Sequence, residues 1–149
     1  MKKKHPTSRR TFLKKSALSA VGISIIPRHV LGKGYIPPSD KLNIAIVGAG
    51  GKGFSDAVNV YNNGASNIAA ICDVDWNSAA PAFEKFPTAQ KFKDYRKLLD
   101  SVKDIDAITV STPDHTHAVI TLAAMQLNKH VYVQKPLTHN IYEARVLTE

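Results

Sequence analysis

Apolar positions along this chain follow two alternating rhythms. Residues 42–48, LNIAIVG, form a short apolar run that ends in glycine, which is the length and flanking of a buried strand. Phe54, Ala57, Val58 and Tyr61 then recur at the three-and-four spacing of a helix, and Asn63-Gly64 stops it. NIAAICD (67–73) reads as a second strand, and residues 79–86 as a helical segment with Pro81 near its start. A short third strand is placed near Gln90–Phe92, followed by an amphipathic stretch at Tyr95, Leu98, Leu99 and Val102. AITVS (107–111) is a fourth strand, HAVITLAAMQLN (117–128) a mostly apolar helix, and HVYV (130–133) a fifth strand. Asn140 and Glu143 form a capping pair that opens a last helix. Strand and helix thus alternate across short connections, with no repeat at solenoid spacing. The pattern predicts an α/β domain, a doubly wound parallel sheet with helices on both faces and strand order 3-2-1-4-5. A ligand then belongs at the carboxyl ends of the strands, by the crossover between strands 1 and 4.

Charge changes the picture only at the start of the chain. Of twenty lysines and arginines, eight fall within residues 1–31, where no Asp or Glu occurs; the other twelve are matched by twelve acidic residues. A body of zero net charge lacks the basic face that a phosphate backbone requires, which excludes nucleic acid as a partner. The leader has its own logic: paired Arg9-Arg10, then Phe12-Leu13-Lys14, then an apolar run over 17–26 that is too short to cross a bilayer comfortably. Ser8 to Lys14 matches the twin-arginine (Tat) export signal at every position, an address rather than an anchor. No clear small-x-small triplet follows Ile26, so an uncleaved leader acting as a tether stays open. The reading divides the chain into a leader (1–31), a Gly/Pro-rich linker (32–41) and a nucleotide-binding domain (42–149). The single cysteine, Cys72, cannot form an internal disulfide and lies in an apolar run as a small core residue.

Directly after the first strand comes GAGGKG, residues 48–53, with Gly48, Gly50 and Gly53 in G-x-G-x-x-G register and Ala49, Gly51 and Lys52 between them. The first glycine permits the tight turn, the second lets a pyrophosphate approach the backbone, and the third lets helix and strand pack closely. Amides at the helix start then meet the negative charge. Asp73 stands twenty residues beyond Gly53, at the end of the second strand. A carboxylate there accepts bonds from ribose hydroxyls and repels a 2′-phosphate, so the site is read as one for NAD rather than NADP.

Two further segments, STPDHTH after the fourth strand and VQKPLTHNIYEA after the fifth, complete a combination that resembles the Gfo/Idh/MocA oxidoreductases across residues 42–149. In that family a T-P-N-x-x-H segment lines the cofactor and an E-K-P segment supplies a lysine at the reacting carbon. Thr112, Pro113 and His117 match the first, after Ser111 and with Asp114 in the usual asparagine position. Lys135 and Pro136 match the second, with Gln134 where glutamate is usual, a change that removes a carboxylate beside the lysine. The resemblance implies that Lys135 is catalytic, hydrogen-bonding or deprotonating a sugar hydroxyl while hydride leaves for the nicotinamide. Proline at 136 biases Lys135 toward an extended backbone, and the peptide bond between them is expected to be cis. His115 and His117, two apart and without a third ligand, do not make a metal site; His115 and His139 are taken as surface or cap residues.

The resemblance also implies a second α/β domain that builds the sugar pocket and much of the subunit contact. The 149 residues stop inside a helix before any of it, which reads as a piece of a longer protein, with a stand-alone nucleotide-binding module as the alternative. Export by the Tat route leads to the periplasm, where no NAD pool exists, so the expected cofactor is tightly bound NAD carried out with the folded protein. Expected partners are a sugar or glycoside, the Tat translocon and, in a longer protein, further copies of the chain. The expected activity is sugar oxidation or reduction, or a glycosidase cycle that oxidises transiently and returns the hydride.

Overall fold

The computed structural model describes residues 37–149; the twin-arginine leader and most of the linker lie outside the described residues. Five strands, β1 (Asn43–Val47), β2 (Asn67–Cys72), β3 (Gln90–Phe92), β4 (Ala107–Val110) and β5 (His130–Val133), form one sheet. Its order is β3-β2-β1-β4-β5 and every pairing is parallel, as the alternation of strand and helix required. The helices are α1 (Lys52–Tyr61), α2 (Ala80–Lys85), α3 (Tyr95–Ser101), α4 (His117–Gln126) and α5 (Ile141–Val146).

The central strand shows why the sheet is covered on both sides. Ala45 and Val47 point into a cluster with Leu98 and Leu99 of α3 and Ile120 and Ala124 of α4. Ile44 and Ile46 point the other way, against Ala57 of α1 and Ala82 of α2 with its C-cap Phe86. Successive side chains of a strand face opposite sides, so a nearly unbroken apolar run needs two cores. Strand β2 breaks this alternation: Ile68 and Ile71, three apart, share one core. The register slips between Ile44 and Ala45, pairing Ile44 with Ile68 but Ala45 with Ala70, so Ala69 is the extra residue of a bulge. The edge-to-face pair of Tyr61 and Phe86, centroids 5.2 Å apart, closes the second core at the foot of α1.

Helix ends follow their sequence marks. Asn62, Asn63 and Gly64 all take positive φ and stop α1. Pro81 lies in the first turn of α2, where its missing N–H costs nothing. Asp94 caps α3 by accepting from the Arg96 amide at 2.9 Å, and Asn140 with Glu143 forms the expected capping box on α5. Leu98 is fully buried between α3 and the sheet. Leu98→Ala is expected to lower unfolding free energy by about 2–5 kcal/mol, read from urea midpoints at unchanged slope.

Candidate functional site

All five strands end at one edge, and the chain turns there onto the residues that the sequence singles out. The Gly48 amide donates to the Cys72 carbonyl at 2.9 Å, extending the sheet by one bond before the loop turns away. Gly48 has φ of 83°, and a Cβ on it would stand 2.7 Å from the Ser111 carbonyl carbon and oxygen. A Cβ on Gly53 would stand 1.9 Å from the Gly48 carbonyl oxygen. Glycines are therefore imposed here by backbone packing, independently of any ligand. No side chain caps the N-terminus of α1, and of its first amides that of Gly53 is taken by the Gly50 carbonyl at 2.9 Å.

Asp73 follows β2 with its amide bonded to the Phe92 carbonyl. Its carboxylate accepts from the amides of Ala49 at 2.7 Å, Gly50 at 3.2 Å and Asp75 at 2.9 Å. The expected ribose partner is thus also a brace for the glycine loop. Its two carboxylate oxygens offer about four acceptor positions, of which these amides take three, so about one is left for a ribose hydroxyl.

Beside this brace opens a cavity of about 810 Å³, walled by Gly48, Gly50, Gly51, Asp73, Ser111, Thr112 and Pro113. Its remaining wall comes from residues to which no motif pointed, among them Ser78, Lys93, Tyr95, Arg96 and Val119. The signal that could have found Lys93 to Arg96 is topological: they follow the third parallel strand and so reach the same edge. His115, taken as a surface or cap residue, also lines this cavity while its side chain stays 66% exposed. Cys72 is on the wall as well, but burial first, then the charges of Asp73 and Asp94, push its thiol up to about 12. It is an inert core thiol there.

The remaining site residues are not among those that wall this cavity. His117 is 2% exposed and presents Nδ1 to the Pro136 carbonyl at 2.6 Å and Nε2 to the Thr112 carbonyl at 2.8 Å. Carbonyl oxygens only accept, so a ring with one N–H serves one of them and a ring with two serves both. Either way His117 stitches the segment after β4 to the segment after β5. Gln134 continues β5 by donating its amide to the Val110 carbonyl at 2.9 Å. Lys135 comes next, exposed at the carboxyl edge and joined to Pro136 by a cis bond, as the sequence suggested.

One group at this edge had no motif to announce it. Asp56, 4% exposed on α1, accepts from Ser111 Oγ at 2.8 Å, from Gln134 Nε2 at 2.8 Å and from Lys52 Nζ. Lys52, expected at the phosphates, therefore spends its ammonium on Asp56. The hint in the sequence is spacing: Gly53, Asp56 and Ala57 are the buried face of α1, and a carboxylate on a buried face needs partners. Burial pushes the Asp56 carboxyl up, but the hydrogen bonds from Lys52, Ser111 and Gln134 with the Lys52 charge outweigh it, and the group lies below the usual carboxylate range. A carboxyl depressed by folding adds stability that is complete above its unfolded value near about 3.9 and is lost as pH falls through the lower folded value. Asp56→Asn is expected to shrink the loss of stability between neutral and strongly acid solution, measured by urea unfolding at both.

Among the described residues no group of three His, Cys, Asp or Glu side chains could hold a metal ion. The groups at the edge suit a dinucleotide: a glycine turn that a Cβ would fill, a helix start with no side-chain cap, and an acceptor carboxylate after the second strand. A glycosyl hydrolase family 109 protein of Shewanella baltica is 29% identical over 164 aligned positions, covering 93% of this chain and 36% of its own length. An alpha-N-acetylgalactosaminidase of Shewanella oneidensis is 28% identical with the same coverage. The chain thus spans little more than a third of the length of these curated relatives. The crystal structure of a myo-inositol 2-dehydrogenase from Lactobacillus plantarum is similar at a TM-score of 0.66 and 27% identity, over 72% of this chain and 32% of that one. Residues 42–149 match the GFO_IDH_MocA model, an oxidoreductase family with an NAD-binding Rossmann fold. With the glycine turn, the bracing carboxylate and the parallel order β3-β2-β1-β4-β5 all in place, the chain belongs to the Gfo/Idh/MocA oxidoreductase family.

Proposed function

We propose that this chain holds NAD for an exported oxidoreductase that acts on sugars or glycosides, with Lys135 at the reacting carbon. One observation carries the reading: a glycine turn closed to any side chain at its first and third glycines, with Asp73 bracing it and Gln134, the neighbour of Lys135, bonded to Asp56 on the helix that follows it. The amides of Gly51 and Lys52, where the loop enters α1, would hold the diphosphate, and Asp73 would receive a hydroxyl of the adenosine ribose. The Asp73 carboxylate opposes a 2′-phosphate, which favours NAD over NADP. Thr112, Pro113 and His117 shape the crevice toward the ring. When bound, the nicotinamide supplies an acceptor for a hydride from the sugar. Lys135 reaches out from the carboxyl edge to hydrogen-bond the sugar hydroxyl and take its proton at Nζ as that carbon is oxidised. The sugar as substrate class is supported by the relatives, an inositol dehydrogenase and an alpha-N-acetylgalactosaminidase.

The twin-arginine motif at Arg9-Arg10 supports export in folded form. A protein that leaves the NAD pool behind works only with cofactor that stays bound and is regenerated in place. The names of the glycosyl hydrolase relatives favour a second reading, a glycosidase that oxidises transiently, releases the leaving group and returns the hydride. Mass analysis of the purified, unsupplemented protein after denaturation is expected to release nicotinamide dinucleotide; none overturns tight binding and the export logic with it. The loaded protein is then offered a panel of sugars and glycosides while nicotinamide absorbance is followed. Lasting reduction supports the dehydrogenase, and glycoside cleavage with only transient reduction supports the glycosidase.

A further inference from the structure

Gln134 precedes the lysine in place of a glutamate, and the structure explains what replaces the missing charge. Three donors converge on Asp56: Lys52 from its own helix, Ser111 beyond β4 and Gln134 beyond β5. Of these only Lys52 carries charge, and its side chain is 61% exposed, so solvent screens it. An ionised carboxylate is an acceptor alone and satisfies all three donors at once; an amide at 56 would set its own N–H groups against one of them. A glutamate at 134 would set carboxylate against carboxylate at hydrogen-bond distance, which two ionised groups cannot hold. Positions 56 and 134 therefore accept one acid and one amide between them.

We propose that Asp56 is a positioning residue for Lys135: from α1 it holds the end of β5, through Gln134, beside Ser111 at the end of β4. Asp56 is 4% exposed and does not line the cavity, so it acts through its neighbours. Its grip on Gln134 fixes where Lys135 leaves the strand, and its grip on Ser111, against whose backbone Gly48 packs, steadies the glycine turn that NADH binding reads. The role for Lys135 rests on the proposed oxidoreductase reading, whereas the acid–amide pair stands on the hydrogen bonds alone.

Four full-length chains decide it: the parent, Asp56→Asn, Gln134→Glu, and the double variant that exchanges acid and amide. Amide hydrogen exchange at Gln134, whose amide is bonded to the Val110 carbonyl, reports how firmly the segment is held, and NADH titration reports whether the site feels it. Gln134→Glu is expected to speed exchange at the amide of residue 134 by about tenfold near pH 8, relative to the parent at the same pH, and to recover near pH 5, where the two carboxylates share a proton. Asp56→Asn is expected to speed it by about tenfold at both pH values, because an amide takes on no proton there. In the double variant the side-chain amide at position 56 donates to the carboxylate at position 134, and exchange is expected within about threefold of the parent. NADH affinity is expected to follow the same order.

Parent-like exchange in Gln134→Glu near pH 8, or a double variant no better than the worse single, overturns the proposal. So does exchange that responds while NADH affinity stays equal in all four, since the pair then serves the fold alone. Should Asp56→Asn not fold, the pH response of Gln134→Glu decides by itself. A parent that binds no NADH removes the dinucleotide reading, and the order of exchange rates still decides whether Asp56 holds the segment.

Discussion

Gly53→Ala is expected to reduce NADH binding by at least about 100-fold and to cost the fold about 3 kcal/mol. The reason is local and severe. A Cβ at 53 would meet the Gly48 carbonyl oxygen at 1.9 Å, and that atom is backbone at the tightest part of the turn. Neither side can yield alone: Gly48 is held by its amide bond to Cys72 and packed on the Ser111 backbone, while Gly53 donates its own amide to Gly50. Relief requires α1 to draw away from β1, which spoils the approach of a diphosphate to the helix amides and opens the packing of Ala57 against the sheet. Gly51→Ala is the control. A Cβ there meets nothing within 4 Å, so only the positive φ of 50° is strained. With ψ of −111° the residue lies outside the left-handed helical region, and the substitution is expected to cost about 1–3 kcal/mol, no more than the first variant, by urea unfolding of both, while clashing with no backbone atom.

Lys135→Met separates holding the dinucleotide from using it. The substitution keeps the apolar stem and removes the ammonium from a side chain exposed at the carboxyl edge. On the enzyme assayed with the sugar or glycoside that the panel identifies, turnover is expected to fall by about 10²–10⁴-fold, the usual worth of a positioned acid–base group. NADH affinity is expected to stay within about threefold of the parent, because Lys135 does not line the cavity that the glycine turn opens. Turnover retained by Lys135→Met removes the lysine from the chemistry, and the opening GAGGKG turn would then stand as a binding site only.

Which features could be read from the chain depends on how far apart their partners lie. The five strands and their order follow from apolar runs punctuated by glycine, asparagine and proline, all signals within a few residues. The glycine turn is equally local, since Gly48 and Gly53 meet each other. The bulge at Ala69 was not legible: it shows only when Ile68 and Ile71 are set against the neighbouring strand and found in one core. Asp56 is the sharper case. Its partners Ser111 and Gln134 are 55 and 78 residues away, and a lone aspartate at mid-helix resembles any solvent-facing polar residue until the sheet brings those strand ends over it. The same distance hid the second duty of Asp73, which braces the loop 23 and 24 residues earlier in the chain. Lys93 to Arg96 were missed for a different reason: the edge they reach was predicted, but no motif distinguishes a lining residue there from a solvated one.

The central claim is that this carboxyl edge is a dinucleotide site read through the Asp73 carboxylate. Its most direct measurement is a titration of the cofactor-stripped protein with NADH and NADPH, followed by nicotinamide fluorescence, for the parent and for Gly53→Ala. Saturable binding of NADH, weaker by about tenfold or more for NADPH and lost in Gly53→Ala, is the result the account predicts. Absence of saturation in the parent, or equal binding by Gly53→Ala, contradicts it.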